Sequence, residues 1–255
     1  MGHCSFTPAG RAGNFMFEAA TSLAYALKHG LDYTIPLHTS NEKWSPIYLK
    51  HLQDRSYNPH LHKIELWENG HQYQDIPFKE EWRELNISVE GYRQSEKYFK
   101  DYRSEILYLF DVPYEKVNRC SIHARYGDYL TVKDNKGQYK HVVVDEAYLS
   151  RAMNHIIDNT GVSTFKVFSD DIELFKQRHG GMWDFEYSSN TNEWDDLVEI
   201  SCHAHHINSS STFSWWGSWL NRNPDKVIVT QEQWFNGNWM NLNVDDIVPE
   251  NWIKL

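Results

Sequence analysis

The sequence predicts an α/β fold resting on parallel sheets, and two patterns lead there. From Val117 onward, short β-prone runs alternate with runs of helical spacing, and such a succession returns each strand to one sheet in parallel. Polar clusters stand directly after three of those strands, where open sheets of this class bind their ligands.

The elements follow in order. Residues 9–30, "AGRAGNFMFEAATSLAYALKHG", give a glycine-containing turn and then a helix. Phe17, Ala20, Leu23, Ala24 and Leu27 recur at helical spacing, and Gly30 stops it. "DYTIPL" reads as a strand, and little room is left for a strand before Gly10. Residues 40–115 give short strands, an acidic and aromatic loop, and a helix across "QSEKYFKDYRSEILYLF". The interval from Asp111 to Asn118 is the expected boundary, giving halves 1–115 and 116–255.

The second half is more regular. "CSIHAR" (120–125) is a strand, "DEAYLSRAMNHIIDNTG" a helix stopped by Gly161, and "TFKVFS" (164–169) a strand. "DDIELFKQRHGG" and "WDDLVEISCHA" read as helices and "HHINS" as a strand. The tryptophan-rich helix and the strand "DKVIVT" (225–230) follow.

Composition narrows the function. The 255 residues carry a net charge of −10, which argues against a nucleic-acid partner. Cys4, Cys120 and Cys202 form no CxxC pair and read as reduced and buried. No apolar run reaches membrane-span length and no signal peptide is evident, so the expected location is cytoplasmic, compatible with peripheral association with a membrane. His203, His205 and His206 resemble a metal cluster, but they alternate along a strand with no partner triad, so no metal ligands are assigned.

The three clusters are Arg125–Gly127–Asp128, Ser169–Asp170–Asp171 and Ser209–Thr212. The last is a run of four hydroxyls opening the helix "FSWWGSWL". Hydroxyls there cap a helix, and they equally suit a phosphate at its N-terminus. Convergence of three polar strand ends favours a lined pocket over capping alone. The turn before Phe15 can cradle phosphate or serve as a plain turn. It is neither a Walker A loop nor GxGxxG. Asp195–Asp196 reads as complementing a helix dipole, and the Trp215–Trp216 pair as packing.

"GRAGNFMFEAA", "GYRQSEKYF", "SIHARYGDY", "FSDD", "SSSTFSWWGSWLN", "PDKVIV" and "PENWIKL" occur in the order and spacing of family 11 glycosyltransferases, the bacterial-type α-1,2-fucosyltransferases. The resemblance runs over essentially the whole chain. It implies a GT-B-like architecture of two Rossmann-like halves with parallel sheets, the first on the acceptor side and the second binding GDP-fucose. It also implies GDP-β-L-fucose as donor, inversion at the anomeric carbon, a galactose-terminated acceptor, and neither cofactor nor metal.

By the same resemblance, Arg125 is the first Arg of HxRRGD and the clamp on the pyrophosphate, a role for which a planar guanidinium fork is suited. His123 supports that loop or touches the donor. Asp170 matches an acid placed on guanine, and Ser211 and Thr212 match hydroxyls on phosphate. Gly13 and Asn14 match an N-terminal loop on the diphosphate and fucose, with Asn14 beside Arg125 in the catalytic set. The base stays open among Asp128, His141 and Asp145. Three positions depart from the family pattern: Tyr126 replaces the second Arg, Phe15 a Gln, and Ser210 an Asn. Two other readings stand beside this one, a glycan- or nucleotide-binding protein without turnover and a transferase of another GDP-sugar.

Overall fold

The computed structural model describes residues 2–35 and 63–255. The end of the expected "DYTIPL" strand, from Pro36, lies outside the described residues. The chain forms two compact units: Met1–Val112 with Asn243–Pro249, and Pro113–Leu242 with Glu250–Leu255. The expected halves, 1–115 and 116–255, do not include the return of Asn243–Pro249 to the first unit.

The first unit has a parallel sheet in the order β2-β1-β4-β3, made of β1 (His3–Ser5), β2 (Asp32–Tyr33), β3 (Lys63–Trp67) and β4 (Asn86–Glu90). The room before Gly10 is thus enough for a strand, contrary to the sequence expectation. Three residues suffice because β1 is paired on both sides, with His3 and Cys4 buried. Helix α1 (Ala12–His29) ends at Gly30, whose φ of 64° lets its amide cap the Ala26 and Leu27 carbonyls. Tyr25 and Ala26 of α1 pack with Cys4, Leu66, Ile87 and Val89.

The helix expected across residues 94–110 is shorter. Glu96–Tyr98 and Lys100–Tyr102 are separate 3₁₀ turns, and only Arg103–Phe110 is α-helical (α2). Ser95 explains part of the difference, since its side chain accepts the Lys97 amide and caps the first turn. Phe99, at φ −144° and ψ 0°, interrupts the helical path.

The second unit holds β5 (Val117–Ala124), α3 (Glu146–Thr160), β6 (Phe165–Ser169), α4 (Ile172–His179), β7 (Glu186–Tyr187), α5 (Glu193–Cys202), β8 (His203–Asn208), α6 (Thr212–Leu220), β9 (Ile228–Thr230) and β10 (Ile253–Lys254). All its strands run parallel in the order β10-β9-β8-β5-β6-β7. Counted within the unit, this is the doubly wound order 3-2-1-4-5-6, and the direction in which successive strands are added reverses between β5 and β8. Ile122, Val167, Ile207 and Val229 from the strands meet Leu149, Ala152 and Ile156 of α3 in the core. Two α/β units, each on its own parallel sheet, match the predicted fold class.

Trp215 and Trp216 are buried, which supports packing. His203, His205 and His206 are buried along β8, and among the described residues no three His, Cys, Asp or Glu side chains gather as a metal-binding group. All three cysteines are free and buried.

Candidate active site

The reversal between β5 and β8 gathers the three polar clusters. Arg125–Asp128 leaves β5, Ser169–Asp171 leaves the adjacent β6, and Ser209–Thr212 leaves β8 on the other side. Sequence pattern placed each cluster after a strand, and the sheet order makes them neighbours.

Arg125 is held by two carboxylates. Its Nη2 and Nε lie 2.8 and 3.1 Å from Asp128 Oδ1, and its Nη1 lies 3.1 Å from Asp170 Oδ2. The other Asp170 oxygen accepts the Tyr126 amide at 2.8 Å. Asp170 therefore braces the β5 loop with both oxygens. Gly127 makes this approach feasible, because a Cβ there would lie 2.5 Å from Asp170 Oδ2. Nε and Nη2 donate to Asp128, and Asp170 adds an ion pair at Nη1.

His123 sits beneath this loop. Its Nδ1 is 2.8 Å from Ser209 Oγ, and its carbonyl accepts the Ser209 amide. Burial lowers its pKa to about 3, so the imidazole is neutral at pH 7. It supports the loop without adding charge.

The hydroxyl run divides its labour. Ser211 caps α6 by accepting the Phe213 amide, while Ser210 donates its hydroxyl to the Val142 carbonyl and its backbone N–H to Gln231 Oε1. Gln231 also donates to the Val143 carbonyl, and Tyr129 donates to the Ser210 carbonyl at 2.7 Å. Sequence reasoning missed Tyr129 and Gln231, for which only contacts remote in sequence give a signal. Thr212 opens α6, whose first turn carries no acid. Among the described α-helices this holds for α1 and α6, whereas α2, α3, α4 and α5 each place acids there. The positive dipole ends of α1 and α6 thus lack a carboxylate of their own.

The base candidates separate. Asp145 caps α3 by accepting the Tyr148 amide at 2.7 Å, a role sequence reasoning did not give it. Asp128 is engaged with Arg125. His141 stacks on Tyr129 at 4.0 Å, and burial, with Lys140 next in effect, lowers its pKa to about 4. Asp171 caps α4 by accepting the Leu174 amide.

The three departures are all interior. Tyr126 is fully buried in the core with Arg178 over its ring, Phe15 is buried, and Ser210 is buried in the network just described. Gly13 and Asn14 open α1 in the first unit. Asn14 Oδ1 accepts from Gln94 at 2.8 Å, and a Cβ on Gly10, which has φ 73°, would lie 2.4 Å from Asn14 Nδ2.

The chain is 32% identical over 145 residues to the O-antigen biosynthesis glycosyltransferase WbnK of Escherichia coli, an alignment covering 55% of this chain and 46% of that protein. It is 27% identical over 186 residues to an alpha-1,2-colitosyltransferase of Escherichia coli, covering 67% and 63%. Both alignments therefore span less than two thirds of the relatives' length. Among solved structures, an Arabidopsis thaliana FUT1 mutant with GDP gives a TM-score of 0.47 at 12% identity over 89% of this chain and 69% of that one. POFUT1 with GDP gives 0.46 at 14% over 90% and 98%. Those two likenesses are too loose to bear on function. Residues 113–255, more than half the chain and including the whole second unit, match the model of glycosyl transferase family 11, and the chain belongs to that family.

Proposed function

We propose that the chain transfers L-fucose from GDP-β-L-fucose to a galactoside hydroxyl, with inversion, forming an α-1,2 linkage without a metal ion. The observation that carries this reading is the pairing of Arg125 with the acid-free start of α6 at the adjacent ends of β5 and β8. In the transfer the bond from fucose C1 to the GDP oxygen breaks, the acceptor oxygen bonds C1 from the opposite face, and the acceptor's proton leaves. Negative charge grows on the departing diphosphate. The Arg125 guanidinium and the dipole of α6 meet that charge with fixed positive groups, the largest kind of contribution such a site can make.

Ser211 and Thr212 are the proposed hydroxyls at the phosphate. Asp128 and His141 are the proton acceptors to test. The whole reaction takes place on the cytoplasmic side in this reading.

The relative named as a colitosyltransferase supports a second reading, in which another deoxysugar replaces fucose. The chain is incubated with GDP-fucose and lactose or N-acetyllactosamine, with and without EDTA, and the product linkage is determined. An α-1,2-fucosylated product formed in EDTA is expected. Product from another GDP-sugar alone supports the second reading, and GDP binding without turnover makes the chain a binding protein.

A further inference from the structure

Ser210 stands one residue before the cap of α6, and each of its polar groups has a partner in the interior of the second unit. Its backbone N–H donates to Gln231 Oε1 at 3.0 Å, its carbonyl accepts the Tyr129 hydroxyl at 2.7 Å, and its own hydroxyl donates to the Val142 carbonyl at 3.1 Å. Gln231 follows β9 directly, and its Nε2 donates to the Val143 carbonyl at 3.2 Å. Tyr129 lies in the 3₁₀ turn Gly127–Leu130, next to Asp128, the acid that holds Arg125. Adjacent residues of one turn thus grip the guanidinium and the peptide that leads into α6.

Ser210, Tyr129 and Gln231 are all buried. A buried peptide group needs a partner, but a neighbouring hydroxyl or a water satisfies that need. Burying a glutamine instead freezes a long, flexible side chain. The partners also come from three places remote in sequence: residue 129, residues 142–143 and residue 231. Together they tie the loop after β5, the segment before α3 and the end of β9 to the turn after β8. Burial pushes the Tyr129 hydroxyl pKa up, so it stays a donor at neutral pH, and the ring is held by its stack on His141.

We propose that Tyr129 and Gln231 are positioning residues that fix the spacing between Arg125 and the start of α6, an inference that rests on the donor reading given above. Neither side chain touches the diphosphate. Both act through the Ser210 peptide, which sets where the first turn of α6 lies relative to the guanidinium.

The test measures GDP affinity by calorimetry, turnover and melting temperature in the full chain. Tyr129→Phe removes the hydroxyl and keeps the ring on His141. Gln231→Met keeps the volume and removes both polar contacts. Each is expected to weaken GDP about fivefold, within the range of one lost buried hydrogen bond. Turnover should fall further than affinity, because the charge to be met grows in the transition state. Each substitution is then combined with Arg125→Ala, or with Arg125→Lys if the alanine variant binds GDP too weakly to measure. With Arg125 gone the spacing has nothing to set, so the added substitution should change GDP affinity by less than about twofold. A role confined to folding lowers the melting temperature and costs the same factor in GDP affinity with or without Arg125. That equality overturns the proposal, as does unchanged GDP affinity in both single variants. Failure of both to fold overturns it too, since the contacts then serve folding, and if one alone folds it decides by the same criteria. Wild-type protein that binds no GDP overturns the donor reading itself and this proposal with it. Failure of the proposal alone leaves wild-type GDP binding intact.

Discussion

Asp170 and Arg125 are joined across two adjacent strand ends: Oδ2 of the acid lies 3.1 Å from Nη1 of the guanidinium, while Oδ1 takes the Tyr126 amide. An acid engaged in this way orients Arg125, a role whose consequence differs from that of a contact with the base. Asp170→Ala is therefore expected to weaken GDP and inorganic diphosphate by similar factors, measured by calorimetry. A loss confined to GDP would return Asp170 to the guanine contact that family resemblance implies.

Tyr126 stands where the family pattern has a second Arg. Restoring that Arg looks harmless in the sequence, but the side chain is fully buried, its ring lies under Arg178, and burial raises its hydroxyl pKa to about 12. Tyr126→Arg would bury a guanidinium in the core, beneath that of Arg178. A loss of about 3 kcal/mol or more of stability is expected from an uncompensated buried charge. Urea unfolding checks this, and a stable, more active variant would show that the loop can turn the residue outward.

Acid should unfold the second unit from its histidines. Burial holds His123 at about 3 and His141 at about 4, and it lowers His206 well below the usual value. Between these values and about 6.5, the unfolded chain binds protons that the folded chain refuses. Stability therefore falls as pH drops below about 6.5 and keeps falling until the folded-state values are reached. Replacing His123 with Gln should flatten the slope of urea midpoint against pH in that window. An unchanged slope would remove His123 as its source.

Glu18 works in the opposite direction. Burial first, then Glu90 and Glu68, raises its pKa to about 8, with the Ala9 amide opposing. Between about 4.5 and 8 the folded chain holds a proton that the unfolded chain releases, so this contribution to stability is lost as pH rises. Glu18→Gln should remove that alkaline decline, as followed by urea midpoints from pH 5 to 9. Persistence of the same decline would assign it elsewhere.

The second unit was the more legible part in the sequence because its strands and helices are separate runs with clear stops. Gly161 ends α3, and Asp171 and Asn192 cap α4 and α5. The three polar clusters were legible for the same reason. Their convergence on one pocket was expected, but the strand order that makes them neighbours was not, since it depends on β8 pairing with β5 between residues about 85 apart, such as Ile122 and Ile207. Asp145 looked like a base because its cap on Tyr148 is a matter of side-chain geometry. In the first unit β1 was missed because three residues show no alternation, and the helix at 94–110 was overextended because Ser95 and Phe99 act through backbone conformation.

Arg125 tests the reading most directly. Thermal stability, GDP affinity and turnover are measured on wild type, Arg125→Ala and Arg125→Lys. Arg125→Ala is expected to remain folded and to lose turnover by a factor on the order of 10²–10³, more than it loses in GDP affinity, since charge on the diphosphate grows in the transition state. Arg125→Lys should recover little, because an ammonium cannot hold Asp128, Asp170 and a phosphate in one plane. Folded Arg125→Ala protein with near-normal turnover and GDP affinity, and only a lower melting temperature, would show that Arg125 is a structural ion pair and contradict the assignment.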